Sequence, residues 1–170
     1  EIIVQSINIY HKKNNTAAIK SLYENHIVPN SFDADKVIDK IAYAYFTAGD
    51  YAAVIDLGVK TKIKPNNEVY PYLKYLESYS YYYLRQFHRS ITELKLLLTV
   101  TELRESLKYK IIKLLADNYF EINDYKTAEK YYFEIANIES QDLKIDETLA
   151  KLGVCYMKQN KDELLETLIK

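Results

Sequence analysis

The chain has 170 residues, of which 48% are hydrophobic, with only three glycines and three prolines. So few helix breakers predict long helices joined by short turns, in a chain long enough to bury a sizeable core. Lys and Arg number 23 against 24 Asp and Glu, a formal net charge of −1, which disfavours nucleic-acid binding because that class normally shows a basic excess.

Neither a membrane span nor a secretion signal is predicted. No uncharged apolar run approaches the roughly 18 residues that a transmembrane helix needs. The first residues, Glu1-Ile2-Ile3-Val4, lack the basic region and cleavage site of a signal peptide. Because the chain does not begin with Met, we expect it to be a fragment, and its compartment stays open between the cytoplasm and a bacterial periplasm.

Turn residues divide the chain into segments of helical periodicity. In chain order the turns are Asn14-Asn15, Gly49-Asp50, Arg85-Gln86, Asn123-Asp124 and Gln159-Asn160-Lys161. Pro29 ends the first hairpin, and Lys64-Pro65-Asn66-Asn67 separates two later ones. No segment alternates with a period of two, so the pattern predicts about nine helices in four and a half hairpins, without a strand.

One block of residues recurs about every 37 positions. Its anchors are Tyr45, Tyr81, Tyr119 and Tyr156, each preceded three residues earlier by a small side chain, at Ala42, Ser78, Ala116 and Gly153. Another aromatic residue follows the first three anchors after six residues, at Tyr51, Phe87 and Tyr125. Such a period predicts an all-α solenoid of stacked antiparallel hairpins. We interpret it as one array with partial repeats at 1–29 and 146–170 and full repeats at 35–70, 71–108 and 109–145.

Three single residues carry further local predictions. Asp124 is placed to cap the helix that follows it, and Pro71 suits the first turn of a helix because no N–H is needed there. Cys155 is the only cysteine, which excludes an internal disulfide framework. We expect it to be a buried, inert thiol.

These residues resemble the tetratricopeptide repeat (TPR) family over nearly the whole chain. The copy at Ile112, Leu115-Ala116, Tyr119, Asn123-Asp124-Tyr125, Ala128, Tyr132 and Ile135 matches the family's helix-turn-helix pattern. The first-helix pattern returns at Ile38, Ile41-Ala42 and Tyr45, and at Leu149, Leu152-Gly153 and Tyr156. The resemblance implies a right-handed superhelix in which the first helix of each hairpin lines a concave groove.

Two repeats depart from the family pattern. Gly58 stands where an aromatic residue is expected, and Lys74 and Glu77 stand where apolar residues are expected. The spacing is also longer than the family's usual period of about 34 residues.

Side-chain constellations for catalysis or metal binding are absent from the sequence. His11, His26 and His88 are scattered, without the spacing of a zinc site. No phosphate-binding loop, nucleophile elbow or paired-carboxylate motif occurs. We therefore predict that the protein is not an enzyme and has no catalytic residues, metal or cofactor.

Tyrosine is the most unusual component, with 18 Tyr and no Trp. The resemblance implies that Tyr72, Tyr75, Tyr79, Tyr82 and Tyr83 face the groove, with Tyr43 and Phe46 from the repeat before and Phe120 from the repeat after. Tyrosine combines a large rigid surface with one polar tip and is enriched at interaction surfaces. We predict that these residues bind a partner; the alternative is that the rings fill gaps between stacked helices.

The carboxylate clamp of some TPR proteins is disfavoured here. It needs Lys and Asn one turn apart, whereas Lys113 is followed by Asp117, which would repel a peptide carboxylate. We expect the pair Lys110 and Lys113 to be solvated.

The sequence thus predicts a non-catalytic scaffold that binds an extended peptide or a partner helix, whose identity and oligomeric state it does not specify. Two alternatives remain open. One is a peptide-sensing module of a bacterial transcriptional regulator, and the other is an envelope-assembly lipoprotein scaffold. The composition, rich in Lys, Ile, Asn and Tyr, favours an AT-rich bacterial source.

Overall fold

Helices account for all the regular structure in the described part of the chain. The structure is a computed structural model, and it describes residues 2–26, 36–61, 63–137 and 145–169. The helices are α1 (Ile2–Lys12), α2 (Thr16–His26), α3 (Ile38–Thr47), α4 (Tyr51–Thr61), α5 (Tyr70–Tyr83), α6 (Phe87–Leu97), α7 (Glu105–Glu121), α8 (Tyr125–Ala136), α9 (Ile145–Lys158) and α10 (Asp162–Ile169). These residues contain no strand, and the predicted all-α class is confirmed. The described residues form ten helices rather than the predicted nine, because the first and last segments each form a pair.

The chain divides into two compact units. The first unit, Glu1–Val100, contains α1 to α6, and the second unit, Thr101–Lys170, contains α7 to α10. Within each unit every helix packs against the next one in sequence. In the first unit the first helices of successive hairpins also pack side by side, α1 on α3 and α3 on α5. Each unit is therefore a stack of antiparallel hairpins.

Five hairpin turns share one backbone geometry. Each contains one residue in the left-handed region, at Asn14, Gly49, Arg85, Asn123 and Asn160. The next amide donates to the carbonyl of a tyrosine five residues back, at Tyr10, Tyr45, Tyr81, Tyr119 and Tyr156, over 2.8 to 3.0 Å. This arrangement satisfies carbonyl groups that the end of a helix leaves without partners. All five predicted turns are confirmed.

Tyr10 is a fifth anchor that the sequence pattern missed. Ile7, fully buried, lies three residues before it, where the other repeats have Ala, Ser or Gly. The small residue is thus dispensable in the first hairpin, whereas the tyrosine carbonyl is present in all five turns.

Helix starts and the lone thiol agree with the sequence predictions. Asp124 Oδ1 accepts a hydrogen bond from the amide of Thr127 at 3.1 Å, and Pro71 lies in the first turn of α5. Cys155 is fully buried, and burial raises the pKa of its thiol to about 11. At neutral pH it therefore stays protonated, which makes it a poor nucleophile.

The two departures from the repeat pattern lie against each other. Glu77 of α5 is only 3% exposed, and its carboxylate adjoins Gly58 of α4, where an added Cβ would lie 2.6 Å from Oε2. Lys74 Nζ donates to the same oxygen at 2.7 Å. The missing side chain at Gly58 therefore makes room for a buried carboxylate. Burial raises the pKa of Glu77, and Lys74 only partly opposes this.

Candidate functional site

The first unit contains a connected group of rings, here called the aromatic cluster. Its members come from α3 to α6 and are Phe46, Tyr51, Tyr72, Tyr75, Tyr79, Tyr82, Tyr83 and Phe87. Five belong to α5, where steps of three and four residues place them along one side of the helix. The helical spacing of α5 and its packing between α3, α4 and α6 thus build the site.

Tyr79 and Tyr83, one turn apart on α5, form the centre of the aromatic cluster. Their ring centroids are 5.0 Å apart and their planes differ by 19°. Phe46 of α3 lies 5.2 Å from Tyr79 and 5.8 Å from Tyr83. Tyr51 of α4 stacks on Tyr83 at 4.5 Å, with planes only 3° apart. Three helices are thus joined through one central pair of rings.

A ring pair recurs at the turn of three hairpins. It joins the residue after the anchor tyrosine to the first residue of the next helix, in Phe46–Tyr51, Tyr82–Phe87 and Phe120–Tyr125. The centroids are 5.5, 5.6 and 5.5 Å apart, and the rings meet edge to face, an arrangement that aromatic pairs prefer. This contact explains why an aromatic residue follows six positions after the anchor.

The aromatic cluster ranges from buried to exposed. Tyr75 is 8% exposed, Tyr83 is 47% exposed, and the other members are half-buried. Burial raises the pKa of Tyr72, with Tyr43 and Asp39 adding to the effect, which places both near its hydroxyl. Tyr75 is therefore the packed part of the aromatic cluster, and Tyr83 is its solvent-accessible part.

Six of the eight predicted partner-binding residues belong to the aromatic cluster. Tyr43 instead makes an edge contact with His11, at 5.9 Å. Phe120 belongs to the second unit, where its ring contacts Tyr125 and Tyr132. The prediction omitted Tyr51 and Phe87 as site residues, although their six-residue offset from the anchors was visible in the sequence.

The second unit contains an ionic network between α7 and α9, the first helices of its two hairpins. Asp117 of α7 accepts hydrogen bonds from Lys151 Nζ and Tyr132 Oη, both at 2.7 Å, and from Lys113 Nζ at 3.2 Å. Glu147 of α9 lies 3.1 Å from Lys151 Nζ and 3.6 Å from Lys113 Nζ. The hydrogen bond from Lys151 and the charge of Lys113 lower the pKa of Glu147.

The prediction that Lys113 is solvated was wrong. Its side chain is 24% exposed, and its ammonium group is paired with Asp117 one turn later in α7. Helix α9 adds a second carboxylate, Glu147, at 3.6 Å. Lys110, three residues earlier, is exposed as predicted.

Two other kinds of site are absent from residues 2–26, 36–61, 63–137 and 145–169. No three His, Cys, Asp or Glu side chains there lie close enough together to hold a metal ion. No helix in the same ranges is both long and apolar enough to cross a bilayer.

Two solved structures share the architecture. Both are described as Podosopora anserina kinesin light chain with nearly identical TPR-like repeats, and the second is a variant of the first with one substitution. Each superposes with a TM-score of 0.69 at 10% sequence identity, over 98% of this chain and 90% or 89% of the other. No protein-family model and no curated protein matches the sequence. These fungal structures lend no support to a bacterial source. The resemblance is confirmed at the level of the fold: this chain has the TPR-like fold of stacked helical hairpins.

Proposed function

We propose that the protein is a non-catalytic interaction scaffold, and that the aromatic cluster binds an extended segment of a partner protein. The TPR-like fold supports the general class, since stacked helical repeats create extended surfaces that suit binding. The partly open aromatic cluster supports the location, and the exposure of Tyr83 is the observation that carries the proposal.

The exposure of Tyr83 favours a partner-binding role for this ring over a role in packing alone. A ring that only fills a gap between helices is expected to be buried, as Tyr75 is. Tyr83 instead keeps 47% of its surface in solvent while contacting four other rings, Phe46, Tyr51, Tyr79 and Tyr82. Rings held in place by neighbours lose little further entropy on binding, which is a property of interface hot spots.

Selection from a random-peptide library, followed by affinity measurement, tests this proposal. We expect Tyr83→Ala to weaken the selected peptide at least tenfold, about 1.4 kcal/mol, which lies within the range of hot-spot truncations. The melting temperature should fall only slightly because the ring is half in solvent.

Phe133→Ala is the matched control. Phe133 is an aromatic residue of α8 with 55% exposure, outside the aromatic cluster. It should leave the peptide affinity unchanged. Equal losses in both variants, or an unchanged affinity in Tyr83→Ala, would contradict the proposed location.

A further inference from the structure

We propose that the aromatic cluster recognises its partner through phenol hydroxyls and ring edges, and that the bound segment is acidic. This inference rests on the proposed function and names the chemistry of the partner. It depends on how the central rings are stacked.

Both faces of the Tyr83 ring are covered by other rings. Tyr51 and Tyr79 each stack on it, with centroids at 4.5 and 5.0 Å and planes within 3° and 19°. Tyr51 and Tyr79 make no ring contact with each other, which is expected when they lie on opposite faces of Tyr83. This arrangement leaves the edge and hydroxyl of Tyr83 as the parts that a partner can reach most easily. An aromatic edge carries partial positive charge, whereas the face that proline or a cation would need carries partial negative charge.

The hydroxyls of Tyr51 and Tyr83 form a pair of hydrogen-bond donors. Their rings are parallel and come from consecutive hairpins. Among the described residues, neither hydroxyl donates to a protein acceptor. Burial raises the pKa of Tyr51, and Tyr83 adds to this effect, which is consistent with oxygen atoms that lie near each other. Hydrogen bonds from neutral donors are strongest to a charged acceptor, and a carboxylate fits this pair.

The N-terminal end of α5, at Tyr72, disfavours an acidic side chain. Asp39 acts electrostatically on Tyr72, so a carboxylate bound there would be repelled. Tyr72 and Tyr83 are separated by about 16 Å along the helix, or about five residues of extended peptide. The acidic side chain is therefore expected at the Tyr51–Tyr83 end of the segment only, which gives the peptide one preferred direction.

Three fluorescein-labelled peptides of equal length test the inference by anisotropy. One is serine-rich with a single pair of Glu residues at its centre, one is proline-rich, and one is arginine-rich. We expect the acidic peptide to bind most tightly. The double variant Tyr51→Phe and Tyr83→Phe keeps all the rings but removes both hydroxyls, and it should weaken the acidic peptide about tenfold.

Tyr125→Phe is the matched control, since Tyr125 begins α8 as Tyr51 begins α4, and its hydroxyl donates to Asn123 Oδ1 at 2.6 Å. It should leave the affinity for the acidic peptide unchanged. Tighter binding of the proline-rich or arginine-rich peptide overturns the acidic preference but leaves the proposed function standing. Acidic binding that survives the double variant shows that the hydroxyls are not the donors and also overturns the inference. If none of the three peptides binds, the inference fails, and the Tyr83→Ala experiment decides the proposed function separately.

Discussion

Helices α5 and α7 differ at two equivalent positions, and the acidic residue occupies a different one of the two in each helix. Aligned on the anchors Tyr81 and Tyr119, Tyr79 corresponds to Asp117, and Glu77 corresponds to Leu115. In α5 the acid is buried against α4 and the side of the helix at Tyr79 carries rings. In α7, Leu115 stands at the position of Glu77 and is fully buried. Asp117 stands at the position of Tyr79 and belongs to the ionic network.

This exchange shows which part of the repeat is constrained. Both hairpins have the anchor tyrosine with its bonded carbonyl and a turn residue in the left-handed region, Arg85 in one and Asn123 in the other. The backbone bonds do not depend on the side chains of the first helix. The surface of each first helix can therefore change from rings to ions without altering the hairpin that supports it.

Removal of Asp117 should have the largest effect on stability. Asp117→Ala leaves Lys113, Lys151 and the hydroxyl of the buried Tyr132 without their shared acceptor. We expect a loss of about 3 kcal/mol, at the lower end for a broken buried ion pair because both lysines are partly hydrated. Chemical denaturation measures it. Asp117→Asn, which keeps an acceptor oxygen, should lose less, and equal losses would show that charge rather than hydrogen bonding dominates.

A double-mutant cycle at Gly58 and Glu77 tests the close contact in the first unit. Alanine in place of a helical glycine normally stabilises by about 1 kcal/mol. In the native chain this gain should be lost, because the new Cβ would meet the Glu77 carboxylate. With Glu77→Ala in the background, Gly58→Ala should recover it. A gain of the same size in both backgrounds would mean that the two residues are not coupled.

The pH dependence of stability should reveal the ionisation of Glu77. Its pKa is raised in the folded chain, chiefly by burial, so the folded state binds a proton more readily than the unfolded state does. The stability that Glu77 contributes is therefore full below its unfolded pKa and is lost as the pH rises through the folded pKa.

Glu77→Gln serves as the reference for that measurement. It cannot titrate at this position, so the stability of the native chain relative to this variant should fall as the pH rises above about 4. An opposite slope would mean that the ion pair with Lys74 outweighs burial.

Features set by residues close in sequence were predictable. The turns, Pro71 and the cap at Asp124 depend on bonds within a few positions, and the pattern identified each of them. Gly58 and Glu77 were visible only as exceptions, because their relation depends on how α4 packs on α5. The contact of Lys113 with Glu147 likewise required α9, which lies in the following hairpin, whereas its pair with Asp117 lies within α7 and was accessible from the sequence.

In the aromatic cluster, too, the features that depend on packing between helices could not be predicted. Helical spacing placed the five tyrosines on one side of α5, but it could not show that Tyr75 is buried while Tyr83 is exposed. That difference depends on how α3, α4 and α6 pack around α5. The partner-binding role of these residues stays a prediction.

The turn geometry also bears on how the chain folds during synthesis. Each turn closes through an amide and a carbonyl only five residues apart, and each helix packs on the next in sequence within its unit. Contacts of such short range favour rapid folding, because little chain entropy is lost before they form. The two helices of a hairpin can therefore meet soon after both leave the ribosome, and packing against the neighbouring hairpin then stabilises them.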